Sequence, residues 1–208
     1  MSEPVVVITG ANGLVGSRTC AVLVGHGATV RAVVRRPGAA PSLAGVEEWV
    51  GDFHDAEFAG SVVQGASAVV TTVHPMGSDR ATQHRIAVEG TPVIARAARD
   101  AGVARLVHVS TAAVYDRSPR IGDVDESSPL VADDANAYAA TKRDTDAALA
   151  EDRGRDLDLE LRPAGRDPPR PEGSSRRARA DLRLGPRRRP RRARGRGRDG
   201  PGVAVDGP

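Results

Sequence analysis

Short apolar runs alternate with amphipathic stretches along the first 162 residues of the chain. The apolar runs predict β-strands over Val5–Thr9, Thr29–Arg35, Glu48–Gly51, Ala68–Val73, Arg105–Ser110 and, more weakly, Leu157–Leu161. Apolar residues at helical spacing predict helices between them, most clearly over Leu14–His26, Thr82–Ala101 and Ala135–Ala150. Pro92 predicts a kink or a restart in the second of these, because proline has no amide hydrogen. Such alternation is typical of βαβ crossovers, so we expect an α/β fold with a parallel sheet.

This alternation stops at Pro163. Of the 46 residues from 163 to 208, 35 are Arg, Pro, Gly or Ala, and none is aromatic. A segment of this kind buries too little apolar surface to offset its ordering entropy, so residues 166–208 are predicted to be a disordered tail behind a domain of residues 1–165. Codons for these four residue types can be written wholly in G and C, and the chain has 29 Arg and one Lys. Our hypothesis is that a frameshift replaced a C-terminal domain by this tail.

Charge is divided between the two parts of the chain. Residues 1–162 carry 16 basic and 22 acidic side chains, net −6, whereas residues 163–208 carry 14 Arg and 5 acids, net +9. An arm that binds nucleic acid nonspecifically is therefore one interpretation of the tail. Specific nucleic-acid recognition is not expected, because the tail has no aromatic side chain on which bases could stack.

Cysteine, histidine and apolar content exclude several classes of protein. A single cysteine, Cys20, excludes a disulfide framework, and the five histidines show no metal-ligand spacing, so no metal is predicted. The sequence shows no signal-peptide pattern and no apolar stretch approaching the ~20 residues of a membrane span. We expect a cytoplasmic protein with no membrane partner.

Three glycines, Gly10, Gly13 and Gly16, follow the first predicted strand and lead into the first predicted helix. At such a junction, glycines permit a tight turn and close backbone approach, and the helix N-terminus offers N–H groups to a pyrophosphate. The segment thus favours a dinucleotide site, with an ordinary glycine-rich turn as the alternative.

Two arginines, Arg35 and Arg36, come at the end of the second strand, about 20 residues beyond the glycines. An acid at this place would bind the ribose 2′-hydroxyl of NAD, whereas arginines suit the 2′-phosphate of NADP. NADP is the preferred cofactor and NAD remains open. A solvated basic pair is the alternative.

Tyr138 and Lys142 form the sharpest motif, because the chain has only two Tyr and one Lys. Four residues apart on a helix they share a face, and an ammonium beside a phenol favours the phenolate, as proton transfer requires. Thr111 follows the fifth strand, at the edge of the sheet where such folds bind ligands. An exposed Tyr–Lys pair and a simple capping role for Thr111 are the alternatives.

Together these motifs resemble the extended, NAD(P)-dependent epimerase/dehydratase branch of the short-chain dehydrogenase/reductase superfamily. The matching segments are TGANGLVG (9–16), the Gly51-Asp52 step, GVARLVHVSTAAVYD (102–116), VDESSPL (124–130), YAATK (138–142) and LRPAG (161–165). The resemblance implies a Rossmann-like, doubly wound parallel sheet, here incomplete. It also implies a nicotinamide dinucleotide cofactor and hydride transfer at a carbonyl or alcohol carbon of a small-molecule or sugar-nucleotide substrate. An NADP-binding module or inactive relative without turnover is the alternative, and a homodimer is left open.

The resemblance also implies roles for individual residues. Tyr138 would be the acid/base, Lys142 would hold the nicotinamide ribose, and Thr111 would hydrogen-bond the substrate oxygen. The implied cofactor contacts are Gly10, Asn12, Gly13, Leu14, Gly16, Arg35, Arg36, Asp52, Phe53, Val73, Tyr138, Lys142 and Pro163. Three departures stand out: Thr72-Val73-His74 replaces a usual Ala-Ala pair, Ala87 replaces a frequent Asn, and Arg166 onward matches no substrate-binding lobe.

Overall fold

Six parallel strands form one sheet in the computed structural model, which describes residues 3–151 and the strand at 158–163. The strands are β1 (Val5–Thr9), β2 (Thr29–Val34), β3 (Val46–Val50), β4 (Ala68–Thr71), β5 (Arg105–Ser110) and β6 (Asp158–Pro163). Their order across the sheet is β3-β2-β1-β4-β5-β6. The chain therefore moves outward from β1 to one edge, returns to β4 and moves outward again. The carboxyl ends of β1 and β4 form the switch point, where folds of this kind bind ligands.

Helices cover both faces of the sheet. They are α1 (Leu14–Gly25), α2 (Ala56–Val63), α3 (Arg80–Gln83), α4 (Thr91–Asp100) and α5 (Ala137–Glu151). Residues of β1 alternate between two apolar clusters: Val6 and Ile8 pack in the cluster that contains Cys20 of α1, and Val7 packs in the cluster that contains Ile94 of α4 and Leu149 of α5. The prediction of a Rossmann-like, doubly wound parallel sheet is thus confirmed.

Several predicted strands end earlier in the structure than the sequence indicated. β2 ends at Val34 and β4 at Thr71, so Arg35 and Val73 lie in loops beyond the carboxyl edge of the sheet. β3 begins two residues before the predicted start, because Val46 pairs with Val30 although Glu47 and Glu48 interrupt the apolar pattern. These shifts place the predicted ligand-binding residues on loops rather than within strands.

The predicted helix over Thr82–Ala101 is divided into three segments. A π-helical segment, His84–Glu89, separates α3 from α4, and α4 begins at Thr91 with Pro92 in its first turn. Proline has no N–H to donate to a helical hydrogen bond. It therefore fits the first turn of a new helix, and α4 begins directly after the π-helical segment ends. The predicted interruption at Pro92 is confirmed.

Two parts of the sequence-based prediction fall outside the description of the structure. The disordered tail at 166–208 and the domain boundary at 165 lie outside the described residues. All residues that are described lie in one compact unit, Met1–Asp167. Within the described range, every helix is too short or too polar to cross a membrane.

Glycines join β1 to α1 because the backbone there packs too tightly for a side chain. Gly10 has a φ of 72°, and a Cβ on it would lie 2.8 Å from Thr72 Oγ1. Gly13 N–H donates to the Gly10 carbonyl at 2.9 Å. A Cβ on Gly16 would collide with that same carbonyl. The first turn of α1 is thereby drawn directly against the end of β1.

A methyl group at Gly16 tests this packing. We expect Gly16→Ala to lower the free energy of unfolding by about 1–3 kcal/mol, because the new Cβ meets backbone that cannot turn aside. Gly25→Ala at the other end of α1 is the matched control. Nothing lies within 4 Å of its Cβ, so it should be neutral or stabilise by up to about 1 kcal/mol. Urea denaturation of both variants measures the difference, and equal effects would contradict the close approach.

Candidate functional site

A cleft of about 290 Å³ opens at the switch point of the sheet. Its walls come from the glycine turn, the ends of β2 and β4, the loop after β3 and the π-helical segment. The lining residues are Gly10, Asn12, Gly13, Val33, Val34, Arg35, Arg36, Gly51, Asp52, Phe53, His54, Thr72, Val73, His74, Pro75, Arg85 and Ile86. Eight of the cofactor contacts predicted from the sequence therefore share one cleft.

The α1 end of this cleft is suited to an anion. Gly13 occupies the N-cap position, and no side chain caps the helix or places an acid in its first turn. The first N–H groups of a helix have no partner within the helix, and its dipole is positive there. Leu14, the first helical residue, is 72% exposed. A helix start without a capping side chain, next to glycines that have no side chains of their own, can accommodate a pyrophosphate group.

Three arginines give the cleft a basic lining. Arg35 and Arg36 are exposed just after β2, and Arg85 joins them from the π-helical segment. Among the described residues, no acid forms an ion pair with any of these three guanidinium groups. Phosphate is the anion that such guanidinium groups bind well. Arg85 was not predicted from the sequence; it lies in the π-helical segment and lines the cleft.

His54 ties the loop after β3 to the π-helical wall. Its Nε2 donates to the Ile86 carbonyl at 3.1 Å, and its backbone N–H donates to Asp52 Oδ1 at 3.0 Å. A Cβ on Gly90 would collide with the imidazole ring. The segment around Ala87 is thus π-helical rather than α-helical. His54 holds it in place, although Ala87 stands where related sequences often have an asparagine. His54 positions both Asp52 and the cleft wall.

Tyr138 and Lys142 lie one turn apart on α5, and the lysine is buried rather than exposed. Lys142 is 3% exposed, and its Nζ donates to the carbonyl of Val109 in β5 at 2.7 Å. Thr111, two residues farther along, caps the short turn Ala112–Val114 by accepting from the Ala113 N–H at 3.2 Å. The capping alternative for Thr111 is therefore observed, and its O–H is still available as a donor.

Behind Lys142, buried polar side chains form a network between α5 and the sheet. Ser110 Oγ donates to Asp146 Oδ2 at 2.5 Å, and the other oxygen of Asp146 lies 3.6 Å from His108 Nε2. His108 Nδ1 is 2.6 Å from the hydroxyl of Thr71, its neighbour across β4 and β5. These contacts fix α5, and with it Tyr138, over the carboxyl ends of two strands.

Burial dominates the charge states of this network. It lowers the pKa of Lys142 to about 8, against the opposing effect of Asp146. Burial raises the pKa of Asp146 to about 6, against the Ser110 hydrogen bond and the Lys142 charge. Burial and the nearby ammonium lower the pKa of His108 to about 3. At neutral pH the network holds one cation, one anion and a neutral imidazole.

The loop after β4 joins the cleft to Tyr138. Thr72 Oγ1 donates to the carbonyl of Thr9 at 2.8 Å, which fastens this loop to the glycine turn. His74 lines the cleft, and its ring meets the Tyr138 ring edge to face, with centroids 4.7 Å apart and planes at 89°. The departure Thr72-Val73-His74 seen in the sequence is therefore where the two halves of the site meet.

The remaining predicted cofactor residues do not line the cleft. Gly16 and Leu14 belong to the first turn of α1, and Pro163 ends β6, where it pairs in register with Ser110 of β5. Asp146 was missed by sequence reasoning. Its position, four residues after Lys142 on the same helix, is a signal that could have identified it. No group of three or more His, Cys, Asp or Glu in the described part of the chain could hold a metal ion.

Comparison with known proteins gives a consistent family. A family described as NAD(P)H-binding matches residues 10–172 of the chain. The 4-hydroxy-2-methyl-3-oxo-4-farnesyl-3,4-dihydroquinoline-1-oxide ketoreductase of Stigmatella aurantiaca is 34% identical over 154 residues, 71% of this chain and 45% of the relative. A 3 beta-hydroxysteroid dehydrogenase/Delta 5-->4-isomerase of Mycobacterium tuberculosis is 29% identical over 171 residues, 77% of this chain and 46% of the relative.

A solved structure agrees with these sequence matches. A short-chain dehydrogenase/reductase superfamily protein from Agrobacterium tumefaciens, crystallised with NAD, is 31% identical, with a TM-score of 0.65. The match covers 76% of this chain and 48% of that protein. The chain thus spans about half the length of the relatives that it matches.

The buried lysine makes a prediction about pH. Because the pKa of Lys142 is about 8 in the folded protein and 10.5 ordinarily, the folded protein binds fewer protons than the unfolded chain between these values. Stability contributed by Lys142 should therefore rise with pH across this window. We expect the unfolding free energy of the unmutated protein to gain up to about 3 kcal/mol over that of Lys142→Met between pH 8 and 10.5. Urea denaturation across this pH range measures the gain, and a constant difference between the two proteins would contradict the lowered pKa.

Proposed function

The chain belongs to the NAD(P)H-binding family within the short-chain dehydrogenase/reductase superfamily, and from this we propose that it is an NADP-preferring oxidoreductase. The predicted nicotinamide dinucleotide cofactor is confirmed at the level of the family. The observation that carries the finer proposal is the single cleft that runs from the glycine turn and its arginine rim to the ring of His74, against which Tyr138 packs.

The chain's own residues would hold the cofactor by charge and by shape. The uncapped start of α1 and the glycines before it would receive the pyrophosphate. Arg35 and Arg36 would bind the 2′-phosphate, which is the basis for preferring NADP over NAD. Asp52 and Phe53 would flank the adenine. When bound, the nicotinamide would supply or accept the hydride.

Proton transfer would fall to α5 and the end of β5. Tyr138 would exchange a proton with the substrate oxygen, and Thr111 would donate its O–H to the same oxygen. Lys142, buried next to β5, would hold the nicotinamide ribose and favour the phenolate of Tyr138. The Val109 carbonyl accepts a hydrogen bond from the lysine, and the Asp146 carboxylate attracts its charge, so the position of the ammonium is fixed.

A ketone or secondary alcohol is the substrate class that we propose. One relative is by name a ketoreductase and another a hydroxysteroid dehydrogenase/isomerase, and both names describe interconversion of a carbonyl and an alcohol. The sequence resemblance adds sugar nucleotides to the candidates. A cytoplasmic location belongs to the same proposal. The rival hypothesis is a dinucleotide-binding module without turnover. It predicts the same cofactor binding but no proton transfer by Tyr138.

The arginine rim predicts cofactor preference. Arg35→Asp should weaken NADP binding about ten- to a hundredfold while changing NAD binding much less, because a carboxylate would face the 2′-phosphate. Titration calorimetry with both dinucleotides measures the ratio. Arg18→Asp, the same charge change on an exposed arginine of α1 outside the cleft, should leave the ratio unchanged. Equal affinity of the unmutated protein for NADP and NAD would contradict the assignment.

Tyr138→Phe separates the oxidoreductase from the binding module. The phenylalanine keeps a ring against His74 but has no O–H, so NADP affinity should stay within a few-fold while turnover falls by about a hundredfold or more. The assay is the change in nicotinamide absorbance with a panel of steroid, aromatic and sugar-nucleotide ketones and alcohols. Dinucleotide binding without turnover of any of them by the unmutated protein would favour the module.

A further inference from the structure

Asp146 and Lys142 lie one turn apart on α5 and bond to consecutive residues of β5. Lys142 Nζ donates to the Val109 carbonyl at 2.7 Å, and Asp146 Oδ2 accepts from the Ser110 hydroxyl at 2.5 Å. Side chains four residues apart on a helix share a face. The carboxylate and the ammonium are therefore held on the same face of α5, against the end of the same strand.

The second oxygen of Asp146 also faces a polar group. This oxygen, Oδ1, is buried 3.6 Å from His108 Nε2, and neither atom has a hydrogen-bond partner among the described residues. His108 Nδ1 lies 2.6 Å from the Thr71 hydroxyl. The tautomer with its hydrogen on Nε2 lets Nδ1 accept from Thr71 and turns an N–H toward the carboxylate, whereas the other tautomer sets a lone pair against it. Ser110 and His108 thus both favour an ionised Asp146.

Few titratable groups adjoin the buried Lys142, which is 3% exposed. They are Tyr138 and Asp146 on α5, His108 in β5 and His74 in the loop after β4. Burial first, and then the ammonium, lower the pKa values of the two imidazoles, which are neutral at physiological pH. Charged side chains of the other elements packed against α5 lie at or near the surface: Arg80, His84, Arg85, Glu89, Arg96, Arg99 and Asp100. Within the described residues around Lys142, the buried anion is therefore Asp146.

A buried ammonium depends on such an anion for its charge. Burial removes water from Lys142 and lowers its pKa to about 8, and the Asp146 charge opposes this lowering. Without that charge, the lysine would lose its proton closer to neutral pH. A neutral lysine would supply no positive field to favour the phenolate of Tyr138.

We propose that Asp146 is a positioning residue whose carboxylate is the counter-ion of Lys142 and keeps that lysine protonated at neutral pH. It acts through the lysine and not on the cofactor or the substrate. The inference rests on the proposed function, because the protonated lysine is needed for the chemistry of Tyr138. The ion pair itself can be measured in the protein without any ligand.

The single lysine of the chain makes a direct test possible, because isotope-labelled lysine gives the NMR signal of Lys142 alone. Asp146→Asn can still accept from Ser110 but has no charge, so the midpoint of the Lys142 titration should fall by about one pH unit or more. Asp146→Glu restores a carboxylate and should return the midpoint toward its original value. Asp144→Asn, on the same helix, is the matched control. Asp144 pairs with Arg143, so the midpoint should not change.

Turnover gives a second readout that a merely structural residue would not change in the same way. Asp146→Asn should lose turnover at neutral pH and regain it as the pH is lowered, because the lysine recovers its proton. An equal loss at every pH, an unchanged Lys142 midpoint, or an equal fall in Asp144→Asn would overturn the proposal. A midpoint that falls as expected in a protein that binds no dinucleotide would support the counter-ion and overturn the proposed function instead.

A measurement on the unmutated protein covers the case in which Asp146→Asn does not fold. Burial raises the pKa of Asp146 to about 6, so the Lys142 signal should show a second, smaller step near this pH as the counter-ion is protonated. Ser110→Ala should move the step to higher pH, because the Ser110 hydrogen bond opposes the effect of burial. A signal without the step, or a step that Ser110→Ala leaves in place, would overturn the proposal.

Discussion

The backbone turn after β1 lies so close to the end of β4 that no Cβ fits between them. Gly10 faces the hydroxyl of Thr72, and that hydroxyl in turn holds the Thr9 carbonyl. This contact sets the distance between the two strand ends and draws the start of α1 onto β1 through Gly16. The cleft exists because the turn is narrow, and the helix start is open because the turn ends in glycine rather than in a capping side chain.

The other half of the site depends on buried charge. Lys142 and Asp146 would be expensive to bury singly, so each is surrounded by groups that oppose its neutralisation: the Val109 carbonyl for the lysine and the Ser110 hydroxyl for the aspartate. Because these partners sit at successive residues at the end of β5, the network determines the height of α5 over the sheet. The position of Tyr138, one turn earlier, follows from it.

Sequence patterns predicted the strands, the glycine turn, the Tyr–Lys pair and the break at Pro92, since each of these depends on local spacing. Arg85 and His54 could not be found in the same way. Arg85 lines the cleft from a π-helical segment, and a pattern at α-helical spacing does not indicate such a segment. His54 acts on Ile86, 32 residues away, through a contact that no local pattern records.

Both charged and neutral groups line the cleft. Three guanidinium groups line it, and the uncapped start of α1 follows its glycine turn; both features suit the phosphates of a dinucleotide. His74 also lines the cleft, and it is held neutral by burial first and then by the Lys142 ammonium, which is itself buried. The lysine thus has two effects: it supplies the positive field proposed to favour the phenolate of Tyr138, and it adds to the burial that lowers the pKa of His74.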